Sequence, residues 1–207
     1  EGGGGPGLAD GIPDKPEGLA AWDRWVDHLA KTFAGRVNEW AMWNEPDNKP
    51  KPGNLPHTPE QIAAFNVRSA HILKRAMPNC RLHALSLAHN DPEFLEKCLV
   101  AFGEDVKLFD TFIYHGYVAN PDTSYEKVEQ QKALLAKYAP HARLRQGENG
   151  SPSEWIDKLS LSRRPWSELS QAKWDLRRML GDRGHDVESA VFPISDFIHK
   201  GREKNTK

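Results

Sequence analysis

Five short strand-like runs, with a helical stretch between each neighbouring pair, constrain this chain more than any other feature. The runs cover residues 37–43, 82–87, 109–117, 142–146 and 187–194. Ahead of the first, apolar residues at helical spacing run from Leu19 through Trp22, Trp25, Leu29 and Phe33. Thr58-Pro59-Glu60-Gln61 supplies an N-cap, a Pro in the first turn and a capping-box Gln for the next helix. Asp91-Pro92 opens another, and residues 125–138 form a third that stops before Pro140. Ser167 caps the last, which bears the stripe Leu169, Ala172, Leu176 and Leu180 and closes at Gly181. Such alternation predicts parallel strands joined by crossover helices, the α/β class. Every gap exceeds the dozen or so residues that a right-handed crossover needs.

An eight-unit barrel takes about 250 residues. Five strands in 207 residues fall about three units short of that. An open doubly wound sheet and a partial (β/α)8 TIM barrel, with strands 4 to 8 present and strands 1 to 3 missing, both meet the count. A doubly wound nucleotide binder carries Gly-x-Gly-x-x-Gly after its first strand. Here Asn44-Glu45-Pro46 follows instead, which favours the partial barrel. Residues 1–18 hold seven of the sixteen glycines and no periodicity, and are expected to be a flexible Gly/Pro-rich loop before a domain spanning 19–207. The barrel reading further expects upstream strands. A secreted or periplasmic location is favoured if a leader lies among them. The oligomeric state stays open.

Charge excludes several classes of partner. There are 28 Lys and Arg against 29 Asp and Glu, and no basic block, so no footprint for nucleic acid exists. No run approaches the eighteen apolar residues of a membrane span. Nine histidines include no His-Glu-x-x-His, and no Gly-x-Ser-x-Gly elbow occurs, so neither metal nor cofactor is expected. Cys80 and Cys98 are too few for a disulfide framework and read as buried thiols.

Two carboxylates remain. Glu45 follows the first strand and Glu148 the fourth, and the C-terminal rim of such strands is where catalytic groups collect. Alone, Glu45 reads as a surface carboxylate, and Glu148 in Gln146-Gly147-Glu148-Asn149-Gly150 as a turn residue. Together, at equivalent strand ends, they read as a site. His115 and Tyr117 stand two apart on the third run, so an extended backbone points both to one face.

Trp40-Ala41-Met42-Trp43-Asn44-Glu45-Pro46 resembles the fourth-strand signature of the clan of retaining glycoside hydrolases built on the (β/α)8 barrel. In that clan the nucleophilic Glu ends the seventh strand, and Glu148 comes three strands after Glu45. His115-Gly116-Tyr117 matches members whose sixth-strand Tyr hydrogen-bonds the nucleophile. The compact spacing looks most like families 39 and 5. The resemblance implies double displacement at an O-glycosidic bond of a β-linked glycan or glycoside. It assigns Glu148 as nucleophile and Glu45 as acid/base with a raised pKa. It places Asn44 on the sugar 2-OH, Tyr117 on Glu148 and His115 along the sugar subsite. A carbohydrate is then the partner. Phe192-Pro193 stands where many members carry a sugar-stacking Trp, which keeps a second expectation open, a non-catalytic carbohydrate-binding barrel relative. Among the tryptophans, Trp22 and Trp25 are expected in the core, and Trp155 and Trp166 on the rim.

Overall fold

The structure, a computed structural model, describes residues 12–48, 56–193, 197–198 and 204–205. Its elements in chain order are α1 (Pro16–Phe33), β1 (Glu39–Ala41), α2 (Pro59–Ala76), β2 (Arg81–Leu87), α3 (Pro92–Phe102), β3 (Thr111–His115), α4 (Tyr125–Tyr138), β4 (Arg143–Asn149), α5 (Glu168–Gly184) and β5 (Glu188–Val191). A small antiparallel pair, β6 (Phe197–Ile198) and β7 (Lys204–Asn205), follows. Short 3-10 turns at Gly103–Leu108 and Pro121–Ser124 lead into β3 and α4.

All five main strands are parallel and hydrogen-bond in the order β1-β2-β3-β4-β5. Sequence order and spatial order coincide, so each crossover steps to the adjacent strand in one direction. A doubly wound sheet reverses direction at a switch point, and this one does not. The strands form a half-barrel with helices outside, the partial barrel expected, and β1 and β5 are its two open edges.

Local chemistry explains where the helices begin. Thr58 Oγ accepts from the Gln61 amide while Gln61 returns a bond to the Thr58 amide, a complete capping box. The Asp91 carboxylate accepts from the amides of Glu93 and Phe94. α1 begins at Pro16, three residues ahead of the visible stripe, because proline suits the first turn. Residues 1–11 of the Gly/Pro-rich segment, and most of the Pro/Lys-rich loop before Pro56, lie outside the described residues.

One face of β2, β3 and β4 makes the core. Leu82, Ala84, Phe112, Tyr114 and Leu144 pack against Ile62, Phe65, Leu73, Leu95, Leu99 and Phe102 from the helices. Each buried side chain of this size contributes about 1.5–3 kcal/mol. Phe102, Phe109 and Phe112 form a ring cluster with centroids 5.0–6.2 Å apart. Cys80 and Cys98 are free buried thiols, and burial pushes Cys98 up to about 12, which makes it inert as a nucleophile.

The intervening positions face the barrel interior, where charged residues join Thr111 and Ile113. Glu39 accepts from Arg81, His83 Nε2 lies 3.2 Å from Glu39, and Arg145 lies 3.8 Å from Glu188. Complete barrels fill this space mainly with branched aliphatic residues.

α5 overturns its expected orientation. Leu169, Leu176 and Leu180 are 66%, 59% and 64% exposed, whereas Trp174, Arg178 and Asp182 are buried. The inward face is held by an ion pair and an indole that donates to the Val118 carbonyl, so burial follows polar pairing rather than the leucine stripe. Gly181 does not close the helix, which continues to Gly184. A Cβ at 181 would overlap the Tyr125 hydroxyl, so glycine serves close packing there.

Candidate functional site

The candidate site lies at the C-terminal ends of β1, β3 and β4. β3 and β4 run in register until a shift after Tyr114, and beyond it His115 pairs with Glu148. Similar shifts occur on β2 after Ala84 and between β4 and β5 after Gln146. Bulges near a barrel rim re-aim side chains, and the one after Tyr114 sets His115 opposite Glu148. Glu148 lies inside β4 rather than in a turn, because Asn149 pairs with Val191 of β5. The run 109–117 shortens to Thr111–His115, and Tyr117 follows one residue past Gly116, beyond the strand end.

Glu45 adopts a left-handed backbone, with φ of +50°. For a residue with a Cβ this costs roughly 1–2 kcal/mol. Its amide donates to the Ser86 carbonyl at 2.8 Å, which holds the turn across the end of β2. Asp47 adds a second tie, accepting from the Ala88 amide at 2.6 Å. Such held strain is a mark of functional positions.

The side chains converge. His115 Nδ1 lies 2.8 Å from Glu45 Oε1 and 3.9 Å from Glu148 Oε2. The Tyr117 hydroxyl donates to Glu148 Oε1 at 2.7 Å. One ligand atom each from Glu45, His115 and Glu148 lies within 4.8 Å of the others. His115 is buried at 3% side-chain exposure, while the carboxylates keep 23% and 22%. Both acids are therefore reachable from solvent and backed by a dry imidazole. A nitrogen and two carboxylates at this spacing resemble a metal cluster, but the direct bonds from His115 and Tyr117 already account for their arrangement. We assign no metal to them.

The charge state of Glu45 departs from expectation. Burial pushes its pKa up, yet the hydrogen bond and charge of His115, with the Asn48 amide, outweigh burial and leave it below the ordinary carboxylate value. The sequence-based expectation of a raised value neglected both partners. For Tyr117, burial and the nearby Glu148 and Glu45 carboxylates push the phenol far up, so it stays a proton donor.

Asn44 sits half-buried directly before Glu45, and among the described residues no hydrogen bond ties its side chain to either carboxylate. Sequence reasoning missed Asn48, whose amide donates to Glu45 Oε2. Its place three residues after Glu45, in a turn, was the available signal. It also missed Gln146 and Asn149, which hydrogen-bond one another behind Glu148. Trp155 is exposed and Trp166 half-buried in the loop after β4, while Trp25 is 53% exposed and not in the core. Trp22 is half-buried, donates to Ser69 and meets Trp43 edge-on.

Parallel strands in sequential order with helices outside define a partial TIM barrel, and two acids stand at its C-terminal rim. Solved structures agree on that fold. A monomeric β-xylosidase from Caulobacter crescentus CB15 superposes with a TM-score of 0.63 at 15% identity, covering 88% of this chain and 39% of that one. The GH39 enzyme from Xanthomonas axonopodis pv. citri gives 0.61 at 17% identity, over 84% of this chain and 38% of that one. An active-site mutant of a Rhizomucor miehei β-1,3-glucanosyltransferase, in complex with laminaritriose, gives 0.59 at 12% identity, over 89% and 64%. The chain thus spans well under half the length of the two bacterial enzymes. No family profile matches the sequence, and no curated protein matches it.

Proposed function

We propose that this chain carries the acid/base and nucleophile of a retaining glycoside hydrolase acting on a β-linked glycan or glycoside. The observation that carries the reading is the spacing of Glu45 and Glu148, with candidate oxygens within 4.8 Å. Retaining enzymes hold their carboxyl groups about 5–5.5 Å apart, and inverting enzymes about 6.5–9.5 Å, to admit a water. The Glu45–Glu148 gap fits direct attack.

In the first step the Glu148 carboxylate attacks the anomeric carbon as the C–O bond to the leaving group breaks. Glu45 passes its proton to the departing oxygen. In the second, water attacks the same carbon, its proton moves to Glu45, and the ester bond to Glu148 breaks. Tyr117, kept protonated, orients Glu148. A sugar filling the mouth displaces water, which adds to burial and raises Glu45 towards the protonated state that the first step needs. Asn44 is assigned to the sugar 2-OH and His115 to the subsite wall and the orientation of Glu45. Oligosaccharide complexes among the structural neighbours support a carbohydrate partner.

The test is trapping. A 2-deoxy-2-fluoro glycoside with a good leaving group should label the natural protein on Glu148, read by peptide mass spectrometry, and Glu148→Gln should abolish both labelling and turnover of aryl glycosides. Turnover that survives Glu148→Gln would end the assignment. Oligosaccharide binding without any covalent adduct would favour the non-catalytic relative, for which Phe192 in place of a stacking Trp speaks.

A further inference from the structure

Arg178 is a full charge with no solvent exposure. A lone buried charge is costly, and an ion pair in its place is often no more stable than apolar residues of the same volume. What this side chain does geometrically therefore matters more than what it adds to stability. Its Nε donates to Asp182 Oδ2 one turn along α5 at 2.9 Å. Nη1 donates to Ser124 Oγ, at the start of α4, at 2.9 Å, and Nη2 to the Tyr114 hydroxyl on β3 at 3.2 Å. A rigid planar fork is suited to reaching three acceptors on three elements, where a single ammonium is not.

The fork also lies against one particular peptide. A Cβ at Gly116 would sit 2.5 Å from Arg178 Nη2 and 3.0 Å from its Cζ. Glycine at 116 is what lets the guanidinium touch the main chain there. The two neighbours of Gly116 are His115, bonded to Glu45, and Tyr117, bonded to Glu148. The Gly116 amide itself donates to the Glu148 carbonyl at 3.2 Å. One buried side chain on α5 thus backs the residue that joins the two side chains bonded to the carboxylates.

We infer that Arg178, through Gly116, is a positioning residue that sets the placement of His115 on Glu45 and of Tyr117 on Glu148. The inference rests on the glycosidase reading for its kinetic consequence, but not for its structural one. Displacing a reacting group by about 1 Å costs on the order of 100-fold in rate. Arg178→Lys keeps the charge and loses the fork. Tyr114→Phe keeps the shape and removes one acceptor, so it supplies a folded variant if Arg178→Lys fails to fold.

Two readouts decide the matter, both on the natural protein. The first is the ring nitrogen spectrum of ¹⁵N-labelled histidine at fixed pH, with the His115 signals identified by their loss in His115→Asn. Both variants should shift the His115 ring signals; His185, stacked on the Tyr125 ring that Arg178 overlies, is set aside, and the signals of the remaining histidines should stay in place. The second is aryl glycoside kinetics, where kcat should fall about 10- to 100-fold in Arg178→Lys and less in Tyr114→Phe, with KM within about twofold. A folded variant with unshifted His115 signals would overturn the inference, as would a rise in KM at constant kcat. If the unsubstituted protein hydrolyses nothing, the glycosidase reading fails, and the His115 spectrum still decides the positioning.

Discussion

If Glu45 and Glu148 act as proposed, replacing Glu45 by alanine separates the two half-reactions of double displacement. On the proposed reading Glu45 and Glu148 stand at the short spacing of retaining enzymes, not at the wider gap that leaves room for an attacking water. On that reading the reaction passes through an ester on Glu148, and Glu45 serves twice. A dinitrophenyl leaving group departs without a proton, so Glu45→Ala should form the ester at close to the normal rate. Breakdown needs a base. General base catalysis supplies about 10²–10⁴-fold, which is ~2.7–5.4 kcal/mol at ~1.36 kcal/mol per decade. Turnover of the dinitrophenyl glycoside should therefore show a burst and then a steady rate lower by that factor. Azide needs no base and fits the space left by the carboxylate. It should restore turnover and yield a glycosyl azide of the substrate's own anomeric configuration, read by ¹H NMR. An azide product of opposite configuration, or an undiminished steady rate without azide, would refute the geometric argument.

Two further outcomes follow from neighbouring residues. Because Glu45 is held below the ordinary carboxylate value, its contribution to stability is complete above the unfolded value of about 4.3 and is lost as pH falls through the folded one. Urea titrations should show wild type and Glu45→Gln running parallel above about pH 4.3, with wild type losing stability relative to the variant as pH falls from there through the folded value, and curves parallel throughout would contradict the pairing with His115. Gly181→Ala would push a methyl group into the Tyr125 hydroxyl and ring, and should destabilise by about 1–3 kcal/mol despite alanine's better helix propensity. Calorimetry should find Tm lower by about 2–12 °C, and an unchanged or raised Tm would show that the ring can move aside.

The alternation of strands and helices was visible in the sequence because it rests on local signals. The Thr58 and Asp91 caps behave as their residue types require. Non-local pairing is what hid the rest. Asn149-Gly150 reads as turn chemistry, but hydrogen bonding to β5 draws Asn149, and Glu148 before it, into the strand. Gly181 reads as a helix end because nothing local shows that Tyr125 will pack against it. Nothing local marks Arg178 as buried, since its partners Ser124 and Tyr114 lie far off in the chain. For the site itself, the identities of Glu45, His115, Tyr117 and Glu148 could be singled out from strand ends and resemblance. The pKa of Glu45 could not, because its sign depends on how near His115 and Asn48 come to rest.

The ends of the five-stranded sheet have a consequence of their own. Glu39–Ala41 and Glu188–Val191 each turn one flank of main-chain amides and carbonyls outward, with polarity already fixed by the strands behind them. Any polypeptide that docks along either seam is handed a direction and a stagger before its side chains are consulted. Closure of the ring is thereby reduced to matching two templates, and the ion pairs of Glu39 and Glu188 on the inner face reward newcomers that bring hydrogen-bonding groups to that level.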